Sequence, residues 1–179
     1  MSLLARRPFR SPALLWLATV AQGWAEQPTV WRPLVHHGAT GRWVEPLLVN
    51  EHSEVWLQGW PAGEHVELHD HGGASGALCV VQGELAETWA TGPDAARLRR
   101  RRLRPGGVSA FGPDYIHDVV NTGRAQALSI QVYSPRLVSM TFYAARRGRG
   151  LEAVRTELSD HPVVGPTPAP VAPVPAFTP

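Results

Sequence analysis

The chain has 179 residues, 44% apolar and 18% charged, a balance that fits one globular domain and excludes a highly charged disordered chain. All 17 of its basic residues are arginine, and the net charge is only +2. One cysteine, Cys79, excludes a disulfide framework within the chain and fits a reducing, cytoplasmic setting.

Residues 1–10 read as a loose start. The apolar run 13–25 follows Arg6, Arg7 and Arg10, as in a signal peptide, but Gln22 breaks it and no small-residue cleavage pattern closes it. Leu14, Leu17, Ala21 and Trp24 recur at steps of three and four, which predicts an amphipathic helix over 11–27. Ser11 stands where a cap belongs and Pro12 at the first helical position. No stretch is long and apolar enough to span a bilayer.

From about residue 42 the pattern changes to short runs of Val, Leu, Ile, Trp and Tyr cut by Gly, Pro, Asp and Asn. Strands are expected at 43–49, 53–59, 65–69, 77–82, 84–89, 98–103, 108–111, 116–120, 127–133 and 138–143. So many short strands predict a sandwich or barrel. The arginines at 97, 99, 100, 101, 102 and 104 read as a solvated hairpin strand. A phosphate or nucleic-acid face is the alternative, but no aromatic residues interleave to stack bases. Residues 148–160 suit a short helix around Leu151 to Leu158, and the uncharged, Pro-rich tail 162–179 suits disorder or polyproline II. The resulting division is 1–41 helical, 42–145 barrel, 146–161 short helix and 162–179 tail.

The chemistry concentrates in two segments. His69 and His71 are two residues apart, so on a strand they face one side and can share a metal ion. Gly72 and Gly73 let the backbone bend close to them. Gly63, His69, His71 and Gly83 match the first cupin motif, with Gly76 at the position of its glutamate. Gly107, Pro113, His117 and Asn121 match the second, with one residue fewer between the proline and the histidine. This resemblance implies a mainly β, single cupin (double-stranded β-helix) barrel with metal ligands His69, His71 and His117. Three neutral imidazoles without a carboxylate leave a bound dication able to take an anionic ligand such as a thiolate. Glu67 shares the parity of His69 and is the carboxylate placed to join them, whereas Asp70 should point outward.

The stretches HDHGGASGALCVVQGELAET (69–88), IHDVVN (116–121) and ALSIQVYSP (127–135) resemble the cysteine dioxygenase family of thiol dioxygenases. The resemblance implies Fe(II) on the three histidines, a small thiol and O2 as partners, and a sulfinic acid as product. It further implies a site tyrosine at Tyr133, supported by a hydrogen-bond relay from Ser129. The sequence departs from the family at three places. Gln131 stands where the relay has histidine, and it can orient Tyr133 but cannot shuttle a proton. Gly76 stands where animal members carry a cysteine cross-linked to the tyrosine. The substrate arginine aligns near Val44 or Glu45, with Arg42 close by.

The remaining candidates have plainer readings. Cys79 reads as buried filler, and His36, His37, His52 and His65 as surface residues. Trp43, Trp56, Trp60 and Trp89 suit the core or mouth, with Trp56 and Trp60 on one face able to line a pocket. Three functions remain open on residues alone: an iron thiol dioxygenase, another metal cupin acting as oxygenase or isomerase, and a non-catalytic ligand-binding cupin. A monomer or weak homo-oligomer is expected, with no nucleic-acid or membrane partner.

Overall fold

The structure is a computed structural model that describes residues 11–94, 97–146 and 150–159. The expected loose start and the Pro-rich tail lie outside the described residues. Helix α1 runs Pro12–Ala25 and is followed by the single turn α2, Pro28–Trp31, and a 3-10 turn at Arg32–Leu34. Eleven strands follow among the described residues: β1 Trp43–Val49, β2 Glu54–Trp60, β3 His65–His69, β4 Ser75–Gln82, β5 Leu85–Thr91, β6 Arg99–Leu103, β7 Val108–Phe111, β8 Tyr115–Val120, β9 Ala127–Ser134, β10 Ser139–Arg146 and β11 Gly150–Leu158.

The strands form two antiparallel sheets, β1-β2-β9-β4-β7 and β11-β10-β3-β8-β5-β6. Alternation assigns each strand an inner and an outer face. In β4, Leu78 and Val80 point into the barrel, while Ala77 and Cys79 point outward under α1. Helix α1 lies across β4, β9 and β7 and buries Leu17, Ala18, Val20, Ala21 and Trp24 against them. Each fully buried large apolar side chain there stabilises the fold by about 1.5–3 kcal/mol. Ser11 occupies the cap position with extended backbone but makes no side-chain capping bond, so the helix start rests on Pro12 and on packing. No helix among the described residues is long and apolar enough to cross a membrane.

Inside the barrel, Trp60, Leu78, Val80, Leu85, Leu103, Val119 and Ala127 form one apolar cluster. Val49, Trp56, Phe111, Tyr115, Tyr133 and Leu137 form another. The lining of the central cavity draws on both.

The short helix expected over 148–160 is instead β11, which pairs along the whole of β10 with one bulge at Phe142/Tyr143. The ribbon Leu151–Leu158 has apolar residues at both helical and strand spacings, so the partner decides. Pairing with β10 satisfies the backbone and buries Leu151 beside Ala90 and Ile116. The barrel therefore extends past residue 145.

The arginine-rich stretch forms β6, the edge of the second sheet. Arg102 and Arg104 pair with Glu84 at 3.0 and 2.8 Å, as suits a solvated hairpin strand. Arg101 departs from that reading, because it turns inward.

Candidate metal centre

Register brings two of the three histidines face to face. His69 closes β3 and sits opposite His117 of β8 and Phe142 of β10. His71 lies beyond the strand end, in the turn before β4, so the pair is not two neighbours on one strand as the spacing suggested. The turn delivers it nonetheless. Gly72 has φ 58°, and a Cβ there would come within 2.4 Å of Ser139 Oγ, so only glycine suits the bend.

The ligand nitrogens of His69, His71 and His117 all lie within 4.8 Å of one another. The ring centroids are 4.7–5.0 Å apart, and all three side chains are buried. His69 Nδ1 donates to the Glu67 carbonyl oxygen at 2.7 Å, and His117 Nδ1 donates to Glu87 Oε1 at 2.7 Å. Each ring therefore keeps Nε2 for another partner. His71 stacks on Phe111 at 4.6 Å, and both of its ring nitrogens are sealed from solvent with no hydrogen-bond partner. Such an orphan costs about 1–3 kcal/mol unless something else meets it. A metal ion would do so, and the three residues fit one. Burial, followed by the neighbouring His117, pushes His69 and His71 well below the usual histidine range, which keeps both as neutral ligands.

No carboxylate joins the trio among the described residues. Glu67 turns to the surface and pairs with Arg155 at 2.7 Å. Asp70 accepts from the Tyr143 hydroxyl at 2.7 Å and from Thr141 N at 3.1 Å. At Gly76, where the cupin motif has glutamate, a Cβ would come within 2.6 Å of the Phe111 ring. Phe111 thus fills the space of a fourth ligand.

A buried ionic cluster supports His117 from behind. Glu87 faces Arg101 across the β5–β6 ladder and bonds its Nε at 2.5 Å. Glu87 Oε1 also accepts from Ser109 Oγ and the Tyr115 hydroxyl, each at 3.0 Å. Burial alone would raise the Glu87 carboxyl, but the His117 hydrogen bond and then Arg101 outweigh it and hold it at about 2. Sequence reading missed this cluster. Parity held the signal, since Glu87 stands two residues from buried Leu85, and Arg101 two from buried Leu103.

Next to the histidines lies a cavity of about 90 Å³. Arg42, Val44, Gln58 and Trp60 line one side, Gln131, Tyr133, Leu137 and Met140 another, and His69 and His117 with Val66 and Val119 the rest. The Tyr133 hydroxyl donates to Gln131 Oε1, and Gln131 Nε2 donates to Gln58 Oε1 at 2.9 Å. Ser129 is not in this chain of bonds. Its Oγ accepts from Trp60 Nε1 at 3.0 Å, because Ser129 stands opposite Gln58 on β2 and beneath the indole. Burial pushes the Tyr133 phenol up, so it stays protonated.

Of the three positions near the expected substrate arginine, Arg42 and Val44 reach the cavity, and the Arg42 guanidinium lies 5.8 Å from the centre of the Trp60 ring. Glu45 turns away to His36 at 2.7 Å. Trp60 lines the cavity, while Trp56 packs in the apolar cluster with Phe111 and Tyr133. Asn121 clamps a turn, donating to the carbonyls of Trp60 and Ala125 at 2.7 and 2.8 Å. Cys79 is buried under α1, and burial raises its thiol to about 11. His36, His37, His52 and His65 lie at the surface.

The profile of the family described as cysteine dioxygenase type I matches residues 17–146. No curated protein matches the sequence. Among solved structures, an oxalate oxidase in complex with the substrate analogue glycolate is 18% identical, with a TM-score of 0.52 over 60% of this chain and 58% of that one. A cupin superfamily protein from Desulfitobacterium hafniense DCB-2 is 17% identical, with a TM-score of 0.49 over 60% and 89%. A protein with a double-stranded beta-helix domain from Klebsiella pneumoniae is 16% identical, with a TM-score of 0.48 over 69% and 93%. Likeness at this level is one of fold, and the fold is the double-stranded β-helix of cupins.

Proposed function

The chain belongs to the cysteine dioxygenase type I family, and from that premise we propose that it is an iron-dependent thiol dioxygenase. The observation that carries this reading is the composition of the centre: three buried imidazoles, one with no other partner, and an aromatic ring where a carboxylate ligand would stand. Iron(II) held by His69, His71 and His117 would supply the open positions and the redox chemistry that bring a thiolate and O2 together. The reaction balances without an outside reductant. The thiol R–SH and one O2 give the sulfinic acid R–SO2H, with both oxygen atoms on sulfur and sulfur oxidised by four electrons.

The chain's own residues bind and orient the substrate. Arg42 at the cavity mouth receives a carboxylate, for which guanidinium is the matched donor. Leu137, Met140 and Val66 exclude water from the other side. Tyr133 acts through hydrogen bonding in its protonated form, because burial raises its phenol and Gln131 offers no proton to exchange. Ser129 supports the cavity by holding the Trp60 indole.

Anaerobic loading with Fe(II), followed by a panel of cysteine, cysteamine, 3-mercaptopropionate and imidazole thiols, tests the reading. One O2 should be consumed per sulfinate formed, with two oxygen atoms added by mass, and His117→Ala should abolish both iron retention and uptake. An iron-loaded protein that consumes no O2 with any of these thiols would overturn it.

A further inference from the structure

The three imidazoles are not held alike. A hydrogen bond from Nδ1 orients the His69 ring through the Glu67 carbonyl and the His117 ring through Glu87. Among the described residues nothing bonds either ring nitrogen of His71. Its ring rests on Phe111 at 4.6 Å and an interplanar angle of 21°, a weakly directional contact. His71 is also the member that stands outside a strand, so the ladder that sets His69 against His117 does not fix it. The place of its nitrogens must come from the backbone of the turn.

One side chain pins that turn. Asp70 Oδ1 accepts from Gly72 N at 3.0 Å and from Thr141 N at 3.1 Å, while Oδ2 accepts from the Tyr143 hydroxyl at 2.7 Å. The Asp70 N–H donates to the Thr141 carbonyl at 2.9 Å. The bond to Gly72 closes a ring around His71, as an aspartate in a turn often does. The bonds to Thr141 and Tyr143 go further, because they reach 71 and 73 residues along the chain and fasten the turn to β10. Thr141 and Tyr143 flank Phe142, the residue opposite His69. Tyr143 packs with Leu68, Ile116 and Leu151, so the far end of the clamp is a fixed wall. Burial, then Asp70, raises the Tyr143 phenol to about 12, so it remains a donor. Asp70 does not line the cavity, and its carboxylate works from behind the site.

We propose that Asp70 is a positioning residue: it fastens the His71 turn to β10 and thereby sets the one imidazole of the trio that no hydrogen bond orients. This rests on the metal-binding part of the reading above and not on its thiol chemistry. A partner behind a ligand ordinarily grips the ring itself, as Glu87 grips His117. At His71 the grip is on the backbone instead.

The test measures Co(II) affinity of the full chain by competition with a chromophoric chelator. Asp70→Ala removes both acceptor oxygens and should weaken binding by about 10–100-fold. Asp70→Asn keeps Oδ1 for the two backbone N–H groups and offers its amide to the Tyr143 oxygen, so its affinity should return to within about threefold of wild type. Two results overturn the proposal. One is an Asp70→Ala protein that melts lower but holds Co(II) as tightly as wild type, as a merely structural residue would give. The other is a loss that Asp70→Asn does not restore, which would make charge and not the clamp responsible. If Asp70→Ala does not fold, Tyr143→Phe decides: a loss of about threefold is expected from the one bond removed, and no loss overturns the proposal.

The same measurements separate this proposal from the oxygenase reading. If the variants bind Co(II) in the expected order yet the iron-loaded wild type oxidises no thiol, the oxygenase reading fails and the clamp stands. If wild type oxidises thiols and Asp70→Ala keeps full Co(II) affinity, the clamp fails alone. A wild type that takes up no Co(II) overturns both.

Discussion

Glu87 is fully enclosed and still ionised, because His117, Arg101, Ser109 and Tyr115 all point hydrogen at it. A carboxylate behind a metal-facing imidazole fixes the ring's tautomer and raises its basicity. Breaking a buried ion pair by removing one partner costs about 3–5 kcal/mol, since the other charge is stranded. Glu87→Gln leaves Arg101 in that position, so urea denaturation at neutral pH should show a loss of about 3 kcal/mol. Metal affinity should weaken by roughly 10–100-fold, measured by competition with a chromophoric chelator. The carboxyl sits at about 2 in the folded protein, below its unfolded value of about 4.3. Its stabilisation is thus complete above about pH 4.3 and is lost as pH falls toward about 2. The acid limb of a stability–pH curve should be flatter in Glu87→Gln than in wild type over that window.

At the level of the element, α1 and ten of the strands were legible in the sequence, because each carries its own period. β11 was not, since Leu151, Val154 and Leu158 follow the helical step and only the neighbouring β10 selects the strand. His71 was legible as a member of the histidine trio for a reason that proved incomplete. It leaves β3 and reaches the site through the turn at Gly72 rather than through strand alternation. The same turn breaks the parity between the histidines and Cys79, which explains why the thiol ends under α1 and away from the metal centre. Helix α1 acts on stability and not on chemistry. Its Trp24 packs on the outer face of the first sheet, in a cluster that does not line the cavity. Trp24→Ala should lower unfolding free energy by about 3–5 kcal/mol while the surviving folded protein binds metal with unchanged affinity.

Across the whole molecule, the histidine trio was readable because two of its members are neighbours in sequence and the third sits in a motif of its own. Glu87, Arg101 and Gln58 were not readable as site residues. Glu87 meets His117, and Gln58 meets Gln131, across strands distant in sequence, while Glu87 faces Arg101 across the β5–β6 hairpin, and only sheet register brings the side chains together. The barrel also links metal and stability. His69 and His71 are held neutral in the fold, with affinities for protons well below those of an unfolded chain. Without metal, the unfolded state binds more protons below about pH 6.5, so stability declines as pH falls through that region. Chelator-treated protein should therefore melt lower than metal-loaded protein. It should also lose further melting temperature between about pH 6.5 and pH 5, recovering on addition of Fe(II) under argon or of Co(II).

The Phe111 ring pressed against Gly76 bears on how such a centre could change over generations. A glutamate at position 76 has no room, because its Cβ would meet both the ring and the backbone carbonyl oxygen of Val132, the latter at 2.7 Å, and a smaller residue at 111 would leave His71 without its stacking partner. Shrinking the ring alone does not admit a carboxylate, because the backbone of β9 still closes the position. Metal analysis and spectroscopy of Gly76→Glu, Phe111→Ala and the double variant should show carboxylate ligation in none of them. A lineage starting from this barrel is fenced into a trio of imidazoles by a phenyl ring that lies outside the lining of the cavity, and by the backbone behind it.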